Sequence, residues 1–149
     1  METSVAPSLM GPTATEGKER GRLDATVARL GELGQALATG AAHVDPAALL
    51  SELRVDLELQ FAREEGDSYF GAVLRERPSL SQNVTDLRRT HASLLERLDA
   101  LRAIAADRGR WPELRAPTLD LCDALRAHEH QEGALMQELV LRDDGTGAD

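Results

Sequence analysis

The sequence predicts an all-α protein, an up-down-up-down antiparallel four-helix bundle. Strong breaks interrupt the central part of the chain at three places and leave four long segments. Each segment repeats apolar residues at helical spacing, whereas no stretch alternates apolar and polar residues as a β-strand does. Because the connections are short, consecutive helices are expected to run antiparallel.

Composition narrows the class of protein. The chain has 149 residues, enough for one domain, and its core must be mostly Leu, Ala and Val because only 3% of residues are aromatic. A net charge of -9 without a basic run argues against binding of nucleic acid or of an anionic membrane surface. The single cysteine, Cys122, has no partner for an internal disulfide. Without a signal peptide or an apolar run of roughly 20 residues, we expect a cytoplasmic protein and no membrane.

The first predicted helix covers residues 20–40. It follows a stretch of small and polar residues without periodicity, and the chain ends in a similar stretch. We therefore expect disordered tails over residues 1–18 and 142–149, and a single helical domain over residues 19–141.

Capping residues, prolines and breaks in the sequence predict the bounds of the other three helices. Asp45 is a good N-cap and Pro46 suits the first helical position, so the second helix is predicted over 46–76. Pro78 ends that helix and precedes the third, over 80–107. The break over residues 109–117 leaves the fourth helix over 116–140.

Each predicted helix has a stripe of residues that faces a core, within an arc of about 100°. The stripes are Leu23, Val27, Leu30, Leu33 and Leu37 in the first helix; Leu50, Leu53, Leu57, Gln60 and Glu64 in the second; Val84, Leu87, His91, Leu94, Leu98 and Leu101 in the third; and Leu114, Thr118, Leu121, Leu125, His128, Glu132, Leu135 and Leu139 in the fourth.

Polar residues interrupt these stripes at one level of the predicted bundle: Gln60, Glu64, His91, His128 and Glu132. Glu64 lies 14 residues before Pro78 and His91 lies 13 residues after it, so in antiparallel helices the two are almost level. His128 and Glu132 are spaced i, i+4 and project from one helix face. An isolated carboxylate in an apolar core costs several kcal/mol unless it is paired, protonated or bound to a metal ion.

These residues resemble the hemerythrin-like (HHE cation-binding) family, four-helix bundles that hold a di-iron site in the core. The second helix contains a run similar to the His-Phe-x-x-Glu-Glu run of the family, and an aromatic pair follows it. The matching segments are Gln60-Phe61-Ala62-Arg63-Glu64-Glu65 with Tyr69-Phe70, then Thr90-His91-Ala92-Ser93-Leu94, and then His128-Glu129-His130-Gln131-Glu132. The resemblance covers residues 20–140.

The chain departs from the family at one half of the site. Gln60 stands where the family has the His of the second helix, and the first helix has no His. At the level of the site, the first helix offers Leu23 to Val27, with Thr26 as the nearest polar side chain. In the family, one iron takes its nitrogen ligands from the first and second helices, the other from the third and fourth, and the Glu residues bridge.

The resemblance thus implies a site for one metal ion, with Glu64, His91, His128 and Glu132 as its ligands. Two imidazoles and two carboxylates suit one iron ion, with manganese or zinc as alternatives. A metal-binding or metal-sensing role follows, and a single ion argues against oxygen carriage. The alternative is a metal-free regulatory or protein-interaction bundle, with a protein partner of unknown identity, in which these four side chains satisfy one another.

Other functions fit the residues less well. The Glu-x-x-His pairs of ferritin-like oxidases are absent, because Arg88 and Leu125 stand three residues before the two stripe histidines. His130 is expected to face solvent but lacks the residues that usually follow a phosphotransfer histidine. We expect no enzyme, because no nucleophile, base and orienting residue can be assembled.

The remaining polar and aromatic residues are interpreted structurally. His43 is expected in a loop, and Cys122 as a small buried hydrophobic residue. Tyr69 and Trp111 are expected near helix ends. Charged runs such as 63–65 are expected to be solvated, apart from Glu64 itself.

Overall fold

A computed structural model describes residues 14–40 and 45–145, with side chains for 24–40 and 45–140. Every regular element in these ranges is a helix, as predicted. The α-helices are α1 (Ala14–Thr39), α2 (Pro46–Glu64), α3 (Phe70–Glu76), α4 (Ser81–Ala105) and α5 (Arg115–Gly145), and two 3₁₀ helices cover Pro78–Leu80 and Arg108–Leu114.

The first and last helices are longer than predicted. Helix α1 begins at Ala14, inside the stretch that was predicted as a tail over 1–18, and α5 continues to Gly145, inside the predicted tail over 142–149. Polar, non-periodic sequence at these ends did not prevent helix formation, because extending a helix that has already nucleated costs less than starting one. Residues 1–13 and 146–149 of the predicted tails, and His43 of the predicted loop, lie outside the described residues.

Helix α2 starts as the sequence predicts. The Asp45 side chain accepts hydrogen bonds from the backbone N–H groups of Ala47 and Ala48, at 3.1 and 3.3 Å. These donors have no partner inside the helix, so the cap satisfies them. Pro46 occupies the first helical position, where its missing N–H costs nothing.

The predicted helix over 46–76 is wrong as a single element, because it breaks after Glu64. Residues 66–68 are Gly-Asp-Ser, which favour turns over helix interiors. The Arg75 side chain donates a 3.0 Å hydrogen bond to the carbonyl oxygen of Asp67 and so stabilises the turn. The chain then resumes as α3, whose first residue, Phe70, is fully buried.

The later boundaries differ from the predictions by small amounts. The third helix, predicted over 80–107, is α4 from Ser81 to Ala105, and the 3₁₀ turn at Pro78 precedes it. The predicted break over 109–117 contains a 3₁₀ helix that buries Leu114. Near the end of α4, as predicted, the Trp111 indole N–H donates a 2.9 Å hydrogen bond to the carbonyl oxygen of Ala105.

The long helices contact one another in a closed order: α1 packs against α2 and α5, and α4 packs against the same two helices. The predicted stripes are the buried faces of α2 and α4, and most of the predicted stripe of α5 is buried as well. Of the helices that the structure describes, none is apolar over enough of its length to cross a lipid bilayer.

Two buried apolar clusters make up the core. The larger cluster lies among α1, α2, α4 and α5 and includes Leu94 and Leu125. The smaller cluster gathers Phe70, Leu87 and Leu135 with the residues around the 3₁₀ turn at Pro78. A polar layer separates the clusters along α4 and α5, and its buried members are Glu64, His91, His128 and Glu132.

Candidate metal centre

Three helices supply the polar layer. Glu64 is the last residue of α2, His91 lies in the middle of α4, and His128 and Glu132 lie one turn apart on α5. All four are at most 5% exposed. One nitrogen of each histidine and one oxygen of each carboxylate lie within 4.8 Å of one another. The structure therefore brings together all four side chains that the sequence singled out.

The distances in the cluster connect the two histidines through the two carboxylates. Nε2 of His91 lies 3.0 Å from Oε1 of Glu64 and 3.3 Å from Oε2 of Glu132. Nε2 of His128 lies 3.0 Å from the same oxygen of Glu132. The two imidazole rings are 4.7 Å apart and nearly perpendicular, with an angle of 72° between their planes. Both Nε2 atoms thus face one small region.

Some of these short distances are not hydrogen bonds. Oε1 of Glu64 and Nε2 of His128 are fully buried and have no hydrogen-bond partner among the described residues. Yet Oε1 of Glu64 lies 3.0 Å from Nε2 of His91, and Nε2 of His128 lies 3.0 Å from Oε2 of Glu132. Since the separations are short, the directions must be wrong for N–H donation. Buried polar atoms without partners are costly. Ligand atoms that converge on a shared point without bonding one another are the arrangement that a cation satisfies.

The donor set fits a divalent transition metal ion. Two imidazole nitrogens and two carboxylate groups make four ligands of the kind that Fe(II), Mn(II) and Zn(II) accept, and the identity of the ion does not follow from ligand type. The buried cluster can therefore hold a metal ion.

Aromatic rings enclose the histidines. The Phe61 ring stacks on His91 with centroids 3.8 Å apart and an interplanar angle of 6°, and its centroid lies 5.6 Å from that of His128 in an edge-on arrangement. Phe70 also lies parallel to His91, with centroids 5.6 Å apart. These rings fix the orientation of the imidazoles and keep water from the cluster.

The same burial perturbs the acid–base properties of the cluster. Burial raises the pKa of Glu64 from 4.5 to about 8, because the opposing effect of His91 is smaller. Burial disfavours the charged form of His91, but the nearby carboxyl groups of Glu132, Glu64 and Glu65 outweigh it and raise the pKa of His91 from 6.5 to about 9. Burial likewise disfavours the charged form of Glu132, yet His128 and His91 hold the pKa of Glu132 well below its ordinary value. In the metal-free cluster, the raised pKa values favour the neutral carboxyl form of Glu64 and the charged imidazolium form of His91.

Glu65 belongs to the site, although the sequence interpretation placed it on a solvated face. Its Oε2 lies 2.7 Å from Nδ1 of His91, and its side chain is 36% exposed. The helical pattern marks only residues whose direction points to the core, whereas Glu65 reaches His91 from the edge of the buried face. The paired acidic residues directly before Gly66 were the available signal.

The position of Gln60 agrees with its expected place beside the cluster. Gln60 is buried, and its side-chain amide donates a 3.3 Å hydrogen bond to Oε2 of Glu64. Thr26 of α1 and Gln60 line one cavity of about 300 Å³ between α1 and α2. The level that the sequence predicted for α1 is therefore confirmed at Thr26.

His130 and Cys122, which the sequence analysis excluded from the site, also lie outside the cluster in the structure. His130 is exposed, two residues from His128 on the outer face of α5. Cys122 is buried, and its thiol donates a 3.5 Å hydrogen bond to the carbonyl oxygen of Val27. A buried thiol in this setting packs as a small hydrophobic residue, as expected.

Comparison of the chain with protein-family models, with curated proteins and with solved structures finds no match in any of the three. The resemblance to the hemerythrin-like family therefore stays a prediction from the residues and motifs of this chain.

Proposed function

We propose that this protein binds one divalent transition metal ion, iron in the first place, and that the four long helices form an up-down-up-down bundle of the hemerythrin type. The observation that carries the proposal is the buried cluster of Glu64, His91, His128 and Glu132, whose ligand atoms lie within 4.8 Å of one another. The contacts of α1 and α4 with the same two helices support the bundle arrangement.

One ion, rather than two, is the proposed content of the site. Gln60 and Thr26 stand where the resemblance expects the ligands of a second ion. A Gln amide is a poor ligand for a transition metal beside carboxylates and imidazoles. The amide of Gln60 also donates to the carboxylate of Glu64, at 3.3 Å. Glu64 is therefore a ligand of the proposed single ion and does not bridge two.

We propose that this site serves metal binding or sensing and that the protein is not an enzyme. In a loaded site, the ion would supply Lewis acidity and, for iron, the ability to change oxidation state. The protein's own groups hold and enclose that ion: Phe61 covers His91 and excludes water, with ring centroids 3.8 Å apart.

Metal analysis after purification from iron-rich medium tests the proposal. We expect about one equivalent of metal in the wild-type protein, and none in His91→Ala or Glu132→Ala, because each variant removes a ligand from a four-ligand shell. His130→Ala is the matched control, since it removes an exposed imidazole from the same helix as His128. Wild-type protein with far less than one equivalent of iron, manganese and zinc together would contradict the proposal.

A metal-free regulatory or protein-interaction bundle is the second candidate. The hydrogen bonds of His91 to Glu65, at 2.7 Å, and to Glu132, at 3.3 Å, favour it, because they show that groups of the cluster can pair with one another without an ion. In this case, elemental analysis finds no metal ion and a chelator leaves the melting temperature unchanged.

A further inference from the structure

Glu65 approaches the metal-site histidine from the side away from the other ligands. Its Oε2 lies 2.7 Å from Nδ1 of His91, whereas Nε2 of the same ring faces Glu64 and Glu132. Glu65 is the residue that caps the end of α2, so the break of the predicted long helix falls directly beside it. The two ring nitrogens of His91 thus have different partners.

The difference matters because a histidine binds a metal ion only through a nitrogen without a proton. A neutral imidazole carries one N–H, and the hydrogen bond made by one nitrogen decides which of the two is free to bind metal. A carboxylate at Nδ1 keeps the proton there. The lone pair of Nε2 is then directed at the region that Glu64 and Glu132 share.

We propose that Glu65 is a positioning residue for the metal site, which fixes the tautomer and the ring orientation of His91 without touching the ion. This inference rests on the proposed function. Glu65 is not among the four residues whose ligand atoms converge. Glu65 contacts Nδ1 of His91, whereas the nitrogen proposed to bind the ion is Nε2.

His128 provides an internal comparison. Its Nδ1 is buried and has no hydrogen-bond partner among the described residues. Different groups therefore hold the two imidazole rings in their orientations. A carboxylate orients His91, whereas packing against Phe61 and the position on the helix orient His128. Loss of Glu65 is expected to affect His91 and to leave His128 in place.

Competitive titration of Fe(II), Mn(II) and Zn(II) against a chelator tests the inference on the full chain. We expect Glu65→Ala to weaken binding by about 10- to 100-fold with one equivalent still bound, as is typical for loss of a partner of a metal-bound histidine. Glu65→Gln should weaken binding less, because its amide oxygen still accepts from Nδ1. The matched controls are Glu96→Ala and Glu96→Gln, which remove the same charge from an exposed position of α4.

Nuclear magnetic resonance of the zinc-loaded protein gives a second readout that a purely structural role would not change. In the wild-type protein, the Nδ1–H proton of His91 should be observable and protected from exchange with water. In Glu65→Ala that protection should be lost, while the resonances of His128 stay in place. Thermal melting of the metal-free variants checks that both Glu65 variants fold.

The outcomes separate the two proposals. Wild-type protein that binds one ion, together with Glu65→Ala binding as tightly as Glu96→Ala, overturns the role of Glu65 and leaves the proposed function intact. Wild-type protein that binds none of the three metals overturns the proposed function, and the role of Glu65 with it.

Discussion

His91 is the residue at which the contacts of the site meet. Its Nε2 faces two buried carboxylates, its Nδ1 faces a third that reaches water, and Phe61 stacks on its ring. A buried imidazole with this many anionic neighbours retains a proton unless a cation replaces it. The chemistry of the site at a given pH therefore depends on competition between protons and metal ions for His91 and Glu64.

That competition predicts that metal affinity rises with pH. The metal-free pKa values of Glu64 and His91 are raised to about 8 and about 9, so below these values an incoming ion must displace both protons. We expect the apparent affinity to increase between pH 6 and pH 9, by up to about tenfold per pH unit for each proton released. Titration of Mn(II) against a chelator of known pH dependence measures this, and His130→Ala should show the same slope. Constant affinity over this range would contradict the perturbed pKa values.

The metal-free protein should show the opposite trend in stability. A group whose pKa is raised on folding stabilises the folded state below its unfolded pKa, and that contribution is lost as pH rises through the folded value. For Glu64 the loss runs from 4.5 to about 8, and for His91 from 6.5 to about 9. Urea denaturation in the presence of a chelator should therefore give a lower free energy of unfolding at pH 9 than at pH 7. A higher value at pH 9 would show that these protons are absent.

The four proposed ligands could be predicted from the sequence because each lies on the buried stripe of its helix, and helical spacing determines which residues share a face. The contact of Glu65 with His91 could not be predicted in this way. A long side chain at the edge of a buried face can turn inward or outward, and its choice depends on what lies opposite. Here the partner is His91, 26 residues further along the chain. Spacing within one helix carries no information about that contact.

At the scale of the elements, the break after α2 is the main difference from the predicted helix over 46–76. The predicted helix ended at Pro78, the first strong break after Pro46. Phe70 and Val73, just beyond the turn, are buried. The turn at 66–68 instead lets α3 carry both side chains into the smaller apolar cluster. Turn-forming residues within an otherwise periodic segment therefore decided the local structure, and periodicity alone did not reveal them.

The contact between α1 and α5 requires glycine at one position. A Cβ added to Gly34 would lie 2.5 Å from Cδ2 of Leu119, whereas one added to Gly31 would lie 4.0 Å from Sγ of Cys122. We expect Gly34→Ala to destabilise the protein by about 1 kcal/mol, at the low end for overpacking because the Leu119 side chain can turn. Gly31→Ala is the control and should stabilise by up to about 1 kcal/mol through helix propensity. Chemical denaturation of both variants measures the difference, and equal free energies of unfolding would contradict the close approach of the helices.

At the scale of the whole molecule, a bound ion should raise the melting temperature. An ion that binds only the folded state stabilises it by about 2.7 kcal/mol at a free concentration 100 times the dissociation constant. For a chain of this size, each kcal/mol corresponds to roughly 2–4 °C. Melting with added Fe(II), compared with melting in a chelator, should show this shift in the wild-type protein and in His130→Ala. His91→Ala is expected to show none, and a shift of the same size in that variant would place the ion elsewhere.

The polar layer between the two apolar clusters has a consequence for cooperativity. Because buried contacts hold each cluster together internally, we expect the end that contains Phe70 and Leu135 to open in the metal-free protein while the end that contains Leu94 and Leu125 stays closed. An ion shared by Glu64, His91 and Glu132 would join the two ends into one cooperative unit. Amide hydrogen exchange should then show two separate opening free energies in chelator and a single, higher one when the ion is present.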